Sequence, residues 1–506
     1  MIKKNFLALL FLIGYVNLYA QCLPNPTAKQ SWWFGYGSNV RSGSSGTGAG
    51  DKIRIDFNGG TATLNNPTFG QGDKTMGYEG YAVANDPVTG NLLFGTDGYY
   101  IYRASDGAKA TGGNIGSNVS TGDAAAIISD PTGTEGRNYI VIGNNATGSA
   151  GGSLIGGKYD LQTNTVSGIT TFVNGTTTEG MEVIPKSTNS RESWIVVLNQ
   201  NSTVTVYEYT LSGFNPTPVS TYTFPDSAAP LSGESISWIP QQPDKILMSK
   251  SKVIVLANFN RATGVISGQL AKFTGNDVKS SYGPALSPNG RYIYYADIFA
   301  GGLYQFRYYD TTTGASTSIP YSRIIYGIRI GPDGRLYFVN ASGATNYLSY
   351  INDANTPPAS ASEIFDFNLG GRNSSLKLPK TYWAATSINA PTVSTTAATC
   401  SAAGTATISN YNASYTYTFT PAGPTVGAGG VISGMTAGTN YTVTASVGGC
   451  ASAASSSFSI AAMTATPATP TVSTTAATCS AAGTATISNY NASYTYTFTP
   501  AGPTVG

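Results

Sequence analysis

The segments GPALSPNGRYIYYAD (283–297) and GIRIGPDGRLYFVN (327–340) decide the fold. In each, an apolar strand runs into a proline turn, Asn-Gly or Asp-Gly supplies a positive-φ position, and a second apolar strand follows. The same order recurs earlier in the chain around Pro87, Pro131, Pro185 and Pro240. Successive turn prolines are 44, 54, 55, 48 and 44 residues apart. Units repeating at this period predict a β-propeller with one four-stranded blade per unit.

The ends of this region predict how the ring closes. Residues 31–37 and 52–57 precede the first unit, and residues 374–384 follow the last. Together they would form one further blade, and joining the two chain ends removes exposed sheet edges. The sequence therefore favours a seven-bladed β-propeller, with six blades as the alternative.

The residues after the propeller belong to a different kind of unit. Lys380 is the last charged residue of the chain, and so sharp a change in composition marks a domain boundary. Residues 391–427 recur without change at 470–506. Their alternating strands predict tandem Ig-like β-sandwiches, so the expected fold class is all-β throughout.

The start of the chain predicts export. Lys3 and Lys4 precede the apolar run 6–16, and Ala20 stands at the expected cleavage point. The run is too short to span a bilayer, and no other stretch predicts a transmembrane helix. Cys22 follows the leader, but Gln21 stands where lipid attachment needs a small residue, so plain secretion to the medium or the outer cell surface is favoured.

The predicted organisation follows from these boundaries. It comprises a signal peptide at 1–20, the propeller at 21–385, a linker at 386–390, an Ig-like repeat at 391–462, a linker at 463–469 and a truncated second repeat at 470–506.

Composition excludes several classes of function. The chain has no histidine, so it holds no Ser-His-Asp or Cys-His site and no His-ligated metal. The chain has 27 basic and 25 acidic residues, and Lys3 and Lys4 are removed with the leader. The mature chain is therefore expected to carry 25 basic and 25 acidic residues and no net charge. Nucleic-acid binding needs a basic excess that this balance lacks. The four cysteines form no CxxC pair of the kind that binds zinc.

Several phrases of the propeller resemble a known family. They are SWWFGYGSNVR (31–41), IDFNGG (55–60), NDPVTGNLLFGTDG (85–98), TEGMEVIP (178–185) and LKLP (376–379). They are similar to the N-terminal propeller of large secreted Bacteroidetes proteins, which continue into Ig-like repeats and end in a gliding-motility-associated or type IX secretion sorting domain. The resemblance covers residues 30–385 and implies a secreted or surface protein. The tail resembles adhesin repeats, and no segment matches the sorting domain.

Four carboxylates are the candidate site of the propeller. Glu79, Asp123, Glu179 and Glu234 stand six or eight residues before their turn prolines, where inner strands begin at one end of the central channel. Such a ring of oxygen ligands would suit Ca²⁺. The favoured alternative is structural: each carboxylate accepts hydrogen bonds from N–H groups of the neighbouring inner strand and joins blade to blade.

The cysteines predict one disulfide. Cys400 and Cys450 lie near the start and end of the first repeat, and an exported chain can be oxidised. Closing a loop of about 50 residues would stabilise the repeat by roughly 4 kcal/mol in the chain-entropy model. Cys22 and Cys479 are expected to be unpaired.

These observations favour binding over catalysis. The predicted function is a secreted or surface binding or adhesion protein that is not an enzyme, with the propeller as platform for an extracellular glycan or protein and the repeats as spacer or adhesin. The alternative is a propeller enzyme that acts on carbohydrate by carboxylate or tyrosine chemistry.

Overall fold

The computed structural model describes most of the chain. The described residues are 29–36, 51–65, 79–86, 89–118, 121–134, 136–148, 150–187, 191–225, 234–275, 283–299, 303–342, 345–372, 374, 376–382, 390–413, 415–447, 450–463 and 465–506. The predicted signal peptide and Cys22 lie outside them. The chain divides into two compact units, Met1–Ile388 with Val447–Ala451, and Asn389–Ser446 with Ser452–Gly506.

The first unit is built from strands. In chain order they are β1 (Gln30–Tyr36), β2 (Asp51–Asn58), β3 (Thr61–Leu64), β4 (Ala82–Asn85), β5 (Leu92–Thr96), β6 (Ile101–Arg103), β7 (Ala125–Ser129), β8 (Asn138–Asn144), β9 (Gly152–Asp160), β10 (Thr165–Pro185), β11 (Ser193–Asn199), β12 (Thr203–Thr210), β13 (Gly213–Thr223), β14 (Ser235–Ser237), β15 (Lys245–Lys250), β16 (Val253–Asn260), β17 (Val265–Thr274), β18 (Ala285–Leu286), β19 (Tyr292–Phe299), β20 (Leu303–Asp310), β21 (Ala315–Ile319), β22 (Ile324–Ile330), β23 (Leu336–Ser342), β24 (Thr345–Ile351), β25 (Ile364–Phe367) and β26 (Lys380–Tyr382). A 3₁₀ turn covers Ala361–Glu363. No helix among the described residues is long and apolar enough to cross a membrane.

These strands form successive sheets in a propeller-like arrangement, and among the described residues all pairings between them except that of β26 with β4 are antiparallel. The sheets have the orders β1-β2-β3, β26-β4-β5-β6, β7 to β13 in sequence, β14 to β17, β18 to β21 and β22 to β25. The longest sheet is two sheets that share β10, which pairs with β9 up to Thr177 and with β11 from Thr177 onward. Strands such as β7 and β11 are buried on both faces, which is why their sequences are continuous apolar runs.

The turns between inner and second strands follow the sequence prediction. Gly290 has φ +74° and Gly334 has φ +81°, in the left-handed region that glycine enters without steric cost. The Gly290 N–H donates to the carbonyl of Ser287 at 2.8 Å, and the Gly334 N–H donates to that of Gly331 at 2.9 Å. The Asn-Gly and Asp-Gly signals are therefore confirmed as hairpin turns.

The two ends of the unit do not share one sheet, which corrects the expectation that they form a common blade. Strand β1 pairs with β2, and β3 completes that sheet after the turn at Gly59 and Gly60. The C-terminal strand β26 instead pairs in parallel with β4. One apolar cluster packs β1 against two other sheets, because the Trp32 ring lies 5.3 Å from that of Tyr337 in β23, and the Trp33 ring lies 6.2 Å from that of Tyr102 in β6.

One hydrogen bond links the first and last strands and provides a test of this junction. The buried indole N–H of Trp32 donates to Thr381 Oγ1 at 3.1 Å. Thr381→Val removes the acceptor, so the variant is expected to lose about 1–3 kcal/mol of unfolding free energy in urea titration. Thr381→Ser keeps the hydroxyl and should stay within about 0.5 kcal/mol of wild type. Equal midpoints for wild type and Thr381→Val would contradict the junction.

The residues after 389 contain two small sheets around an apolar cluster and a further sheet of two strands. The strands are β27 (Val393–Thr395), β28 (Ala406–Ile408), β29 (Thr416–Thr420), β30 (Thr425–Val426), β31 (Val431–Ser433), β32 (Thr442–Val447), β33 (Cys450–Ala451), β34 (Val472–Thr475) and β35 (Thr484–Ile487), with a 3₁₀ turn at Ala428–Gly430. The sheet orders are β27-β28-β31-β30 and β29-β32-β33. Two sheets around one cluster do not identify an Ig-like sandwich, so that assignment stays a prediction.

The repeated sequence adopts two environments. Phe419 is 5% exposed in the cluster of the first copy, because its strand β29 pairs with β32. Its counterpart Phe498 is only half-buried, and β34 and β35 form a two-stranded sheet. In the first copy, β31 and β32 follow the repeated segment and pair with its strands β28 and β29.

The cysteine pairing stays a prediction. Cys400 is exposed and Cys450 begins β33, while Cys479 is exposed and free. Non-reducing peptide mapping of the full chain is expected to show Cys400–Cys450 as the main crosslink and Cys479 as an alkylated thiol. A main Cys22–Cys400 or Cys400–Cys479 crosslink would contradict this pairing.

Candidate active site

The four predicted carboxylates are buried. Glu79, Asp123, Glu179 and Glu234 are 7%, 2%, 1% and 0% exposed. Glu179 Oε2 accepts the N–H of Gly122 at 3.1 Å, and its Oε1 accepts the N–H of Gly148 at 2.7 Å. Gly122 precedes β7 and Gly148 lies between β8 and β9, so Glu179 holds the part of β10 that pairs with β11 against the segments around β7 to β9, as the structural alternative for these carboxylates expects.

Asp123 connects three parts of the first unit. Its Oδ2 accepts the N–H of Met181 at 3.2 Å and that of Ile236 at 3.1 Å. It also lies 3.2 Å from the Lys380 ammonium, while Lys377 Nζ lies 3.6 Å from Oδ1. Burial raises the pKa of Asp123, but the two lysine charges outweigh burial and lower it below its ordinary value. Asp123 is therefore a charged anchor between inner strands and the closing strand.

The lysines come from the end of the propeller chain. Lys380 begins β26, and its ammonium donates to the carbonyl of Ile236 at 3.2 Å and to that of Met181. Its Nζ also lies 3.5 Å from Glu182 Oε2. Burying this ammonium is tolerable because carboxylates and carbonyls surround it. Lys380 thus fixes the position of Glu182.

A cavity opens where the inner strands end in their proline turns. It has a volume of about 60 Å³, enough for several waters or the reacting end of a substrate. Its lining includes Glu182, Arg329, Lys380, Trp238 and Tyr382. The four predicted carboxylates do not line it. Glu79, Asp123 and Glu234 precede β4, β7 and β14, and Glu179 lies in β10 three residues before Glu182.

Glu182 is the acidic side chain of this cavity. Its Oε1 accepts the N–H of Val183 at 3.0 Å, and its Oε2 accepts that of Trp238 at 3.4 Å. Burial raises the pKa of Glu182 and outweighs the opposing charges of Lys380 and Arg329. A carboxyl group with a raised pKa next to a cavity can accept and return a proton nearer neutrality than an exposed one.

Arg329 places a guanidinium without a direct ion-pair partner on the cavity wall. It is half-buried, and burial lowers the pKa of its guanidinium despite the charges of Glu182 and Asp123. Among the described residues, Arg329 makes no side-chain hydrogen bond and has no carboxylate within the 4.0 Å of an ion pair. The guanidinium is therefore available to a bound molecule.

Sequence reasoning missed Glu182, Arg329 and Lys380. The available signal was a single charge inside an apolar inner strand, in MEVIP (181–185) and GIRIG (327–331). Buried charges are rare unless they are paired or functional. The calcium site stays a prediction, since the described residues contain no group of three or more His, Cys, Asp or Glu side chains that could hold a metal ion. Lysines supply the positive charge beside Asp123.

Comparison with solved structures finds proteins whose folds are similar to that of this chain. No family model and no curated protein matches the chain. The periplasmic gluconolactonase of Pseudomonas aeruginosa is 12% identical with a TM-score of 0.42, over 67% of this chain and 96% of that one. A proposed 6-phosphogluconolactonase of Bacteroides fragilis is 12% identical with a TM-score of 0.41, over 70% and 97%. A puromycin hydrolase variant is 12% identical with a TM-score of 0.39, over 77% and 58%.

The expectation that the chain is not an enzyme is corrected by this comparison, because the similar structures include proteins named as lactonases and hydrolases. The physical reason is the cavity, where a buried carboxyl with a raised pKa faces a cation. At 12% identity and TM-scores below 0.5 these likenesses assign no reaction. The reaction has to follow from the cavity's side chains.

Proposed function

We propose that the first unit is a hydrolase that cleaves an ester or lactone bond of a small substrate. The observation that supports this proposal most strongly is Glu182, a buried carboxyl with a raised pKa that lines the same cavity as Arg329. In its charged form Glu182 takes a proton from a water molecule, whose oxygen attacks the carbonyl carbon. Glu182 then returns the proton to the leaving oxygen as the C–O bond breaks.

The single carboxylate favours this reaction over glycoside hydrolysis. Glycosidases of the common type need two carboxyl groups across the scissile bond, about 5–9.5 Å apart. Glu182 is the one Asp or Glu among the described residues that line the cavity. Ester and lactone hydrolysis needs one acid–base group and water. The sequence suggested a carbohydrate enzyme as the alternative function. The substrates proposed for it are therefore esters and lactones, including those of sugars.

The proposal includes a closed ring of seven blades. It is supported by the two sheets that share β10, which make seven groups of strands from the six sheets that the described residues of the first unit form. It is also supported by the apolar cluster that connects Trp32 with Tyr337 and Trp33 with Tyr102. A closed ring brings all inner strands to one axis, which explains why Glu182, Arg329 and Lys380 come together from distant parts of the chain.

The proposed setting of the reaction is outside the cell. Lys3, Lys4 and the apolar run 6–16 support export, and the Bacteroidetes resemblance supports secretion or surface display. The repeats are proposed to act as a spacer or adhesin. A glycan or protein bound by that tail is a separate question from the substrate of the cavity.

Turnover by the full chain tests the proposal. Acid release is measured in a pH-stat with D-glucono-1,5-lactone, γ-butyrolactone and phenyl acetate between pH 5 and pH 9. We expect at least one compound to be hydrolysed with saturation kinetics above the rate in buffer. Rates equal to buffer for all three would reject ester and lactone hydrolysis by this cavity.

A further inference from the structure

We propose that Arg329 binds an oxyanion of the substrate, so that the cavity selects small molecules bearing a carboxylate or a phosphate. The inference rests on the proposed function in using the same cavity, and it names the substrate class. It follows from the lack of a direct partner for one arginine of the cavity and from the apolar wall of the same cavity.

The cations around the cavity differ in their direct partners. Lys377, Lys380 and Arg329 all act on the charge of Asp123 or Glu182. Asp123 is already shared between both lysines, at 3.6 Å and 3.2 Å. Lys380 is fully engaged by carbonyls and carboxylates. Among the described residues, Arg329 is therefore the cation that lines the cavity without a direct partner.

Other arginines of the described residues have a direct carboxylate or carbonyl partner. Arginine–aspartate pairs at 2.7–3.7 Å, or shorter, join Arg54 to Asp56, Arg103 to Asp106, Arg137 to Asp160, Arg291 to Asp310, Arg323 to Asp366 and Arg335 to Asp333. Arg261 donates to the carbonyl of Pro185 at 3.3 Å. Arg329 departs from this pattern although it is more enclosed than most of them. A planar guanidinium with free donors fits a carboxylate or phosphate bidentately.

The cavity also offers a fixed apolar wall. The Trp238 ring is 7% exposed, its Nε1 donates to the carbonyl of Pro243 at 3.0 Å, and the Arg261 guanidinium lies 5.3 Å from its centre. These contacts hold the ring in one orientation. A substrate whose oxyanion meets Arg329 can pack its carbon skeleton against Trp238. The site thus suits a compact acid, such as a sugar acid or sugar phosphate, rather than a neutral sugar.

Binding to a variant that does not turn over separates this inference from the proposed reaction. Isothermal titration uses the full-length Glu182→Gln protein with D-glucuronate, D-glucose 6-phosphate and D-glucose as probes. We expect at least one anion to bind and glucose to bind at least tenfold more weakly. Adding Arg329→Met should weaken the anion roughly 30-fold or more, about 2 kcal/mol. The two anions distinguish carboxylate from phosphate recognition.

Matched variants make each outcome decisive. Arg137→Met removes an exposed arginine outside the cavity and should leave affinity unchanged, while Arg329→Lys, which keeps the charge, should lose less affinity than Arg329→Met. The lysine variant also serves if the methionine variant does not fold. No binding of either anion, or affinity indifferent to Arg329, would overturn the inference. Arg329-dependent binding without turnover by wild type would reject only the hydrolase.

Discussion

Glu182→Gln is expected to lower kcat/KM by a factor of 10² to 10⁴ at neutral pH. The amide keeps the size of the side chain and can still accept the N–H of Val183, but it cannot take a proton from water. General acid–base catalysis by one positioned group contributes an effect of this size. The measurement is steady-state hydrolysis of whichever panel compound the wild type cleaves.

A matched control separates chemistry from stability. Glu363→Gln makes the same change on an exposed 3₁₀ turn, and its kcat/KM should equal that of wild type. Thermal unfolding should show that Glu182→Gln remains folded, because neutralising a buried carboxyl whose pKa is already raised costs little. A folded Glu182→Gln protein with wild-type kcat/KM would remove Glu182 from the reaction.

Asp123→Asn is expected to lower the unfolding free energy by about 3–5 kcal/mol. The change leaves Lys377 and Lys380 buried without the carboxylate that lies 3.6 Å and 3.2 Å from them. It also weakens the acceptor for Met181 and Ile236 on two inner strands. Guanidinium or urea titration measures the loss. Asp106→Asn, which alters an exposed pair with Arg103, should lose at most about 1 kcal/mol.

The pH dependence of this effect has a definite sign. Burial raises the pKa of Asp123, yet Lys377 and Lys380 bring it below the ordinary 3.8. Its contribution to stability is therefore complete above the unfolded pKa and is lost as the pH falls through the lower folded pKa. Wild type and Asp123→Asn should converge in stability below about pH 4. A constant difference down to pH 2 would show that charge pairing is not the cause.

Local sequence patterns predicted most of the fold. Proline turns with Asn289-Gly290 and Asp333-Gly334 predicted hairpins that the structure contains. The pairing of the two chain ends was harder to predict from the sequence, because β26 is three residues long and pairs in parallel with β4. A strand of that length has no measurable alternation, and nothing in its residues specifies which edge it joins.

The site was only partly predictable for a related reason. A positional rule identified Asp123 and Glu179, and the structure shows them joining sheets. Glu182 and Arg329 lie on strands whose apolar neighbours dominate any periodicity, so they counted as part of the core. What distinguishes them is the surrounding charge, above all Lys380 at the far end of the propeller chain. That proximity follows from tertiary structure and not from spacing.

The pH profile of kcat/KM for wild type and Glu182→Gln tests the central claim most directly. As a general base, Glu182 must be charged in the free enzyme, so the rate should fall as the pH drops through its pKa. Because burial raises that pKa above the ordinary 4.5, the account predicts an acidic limb above this value in wild type and its absence in the residual activity of the variant. Superimposable profiles for the two proteins would contradict it.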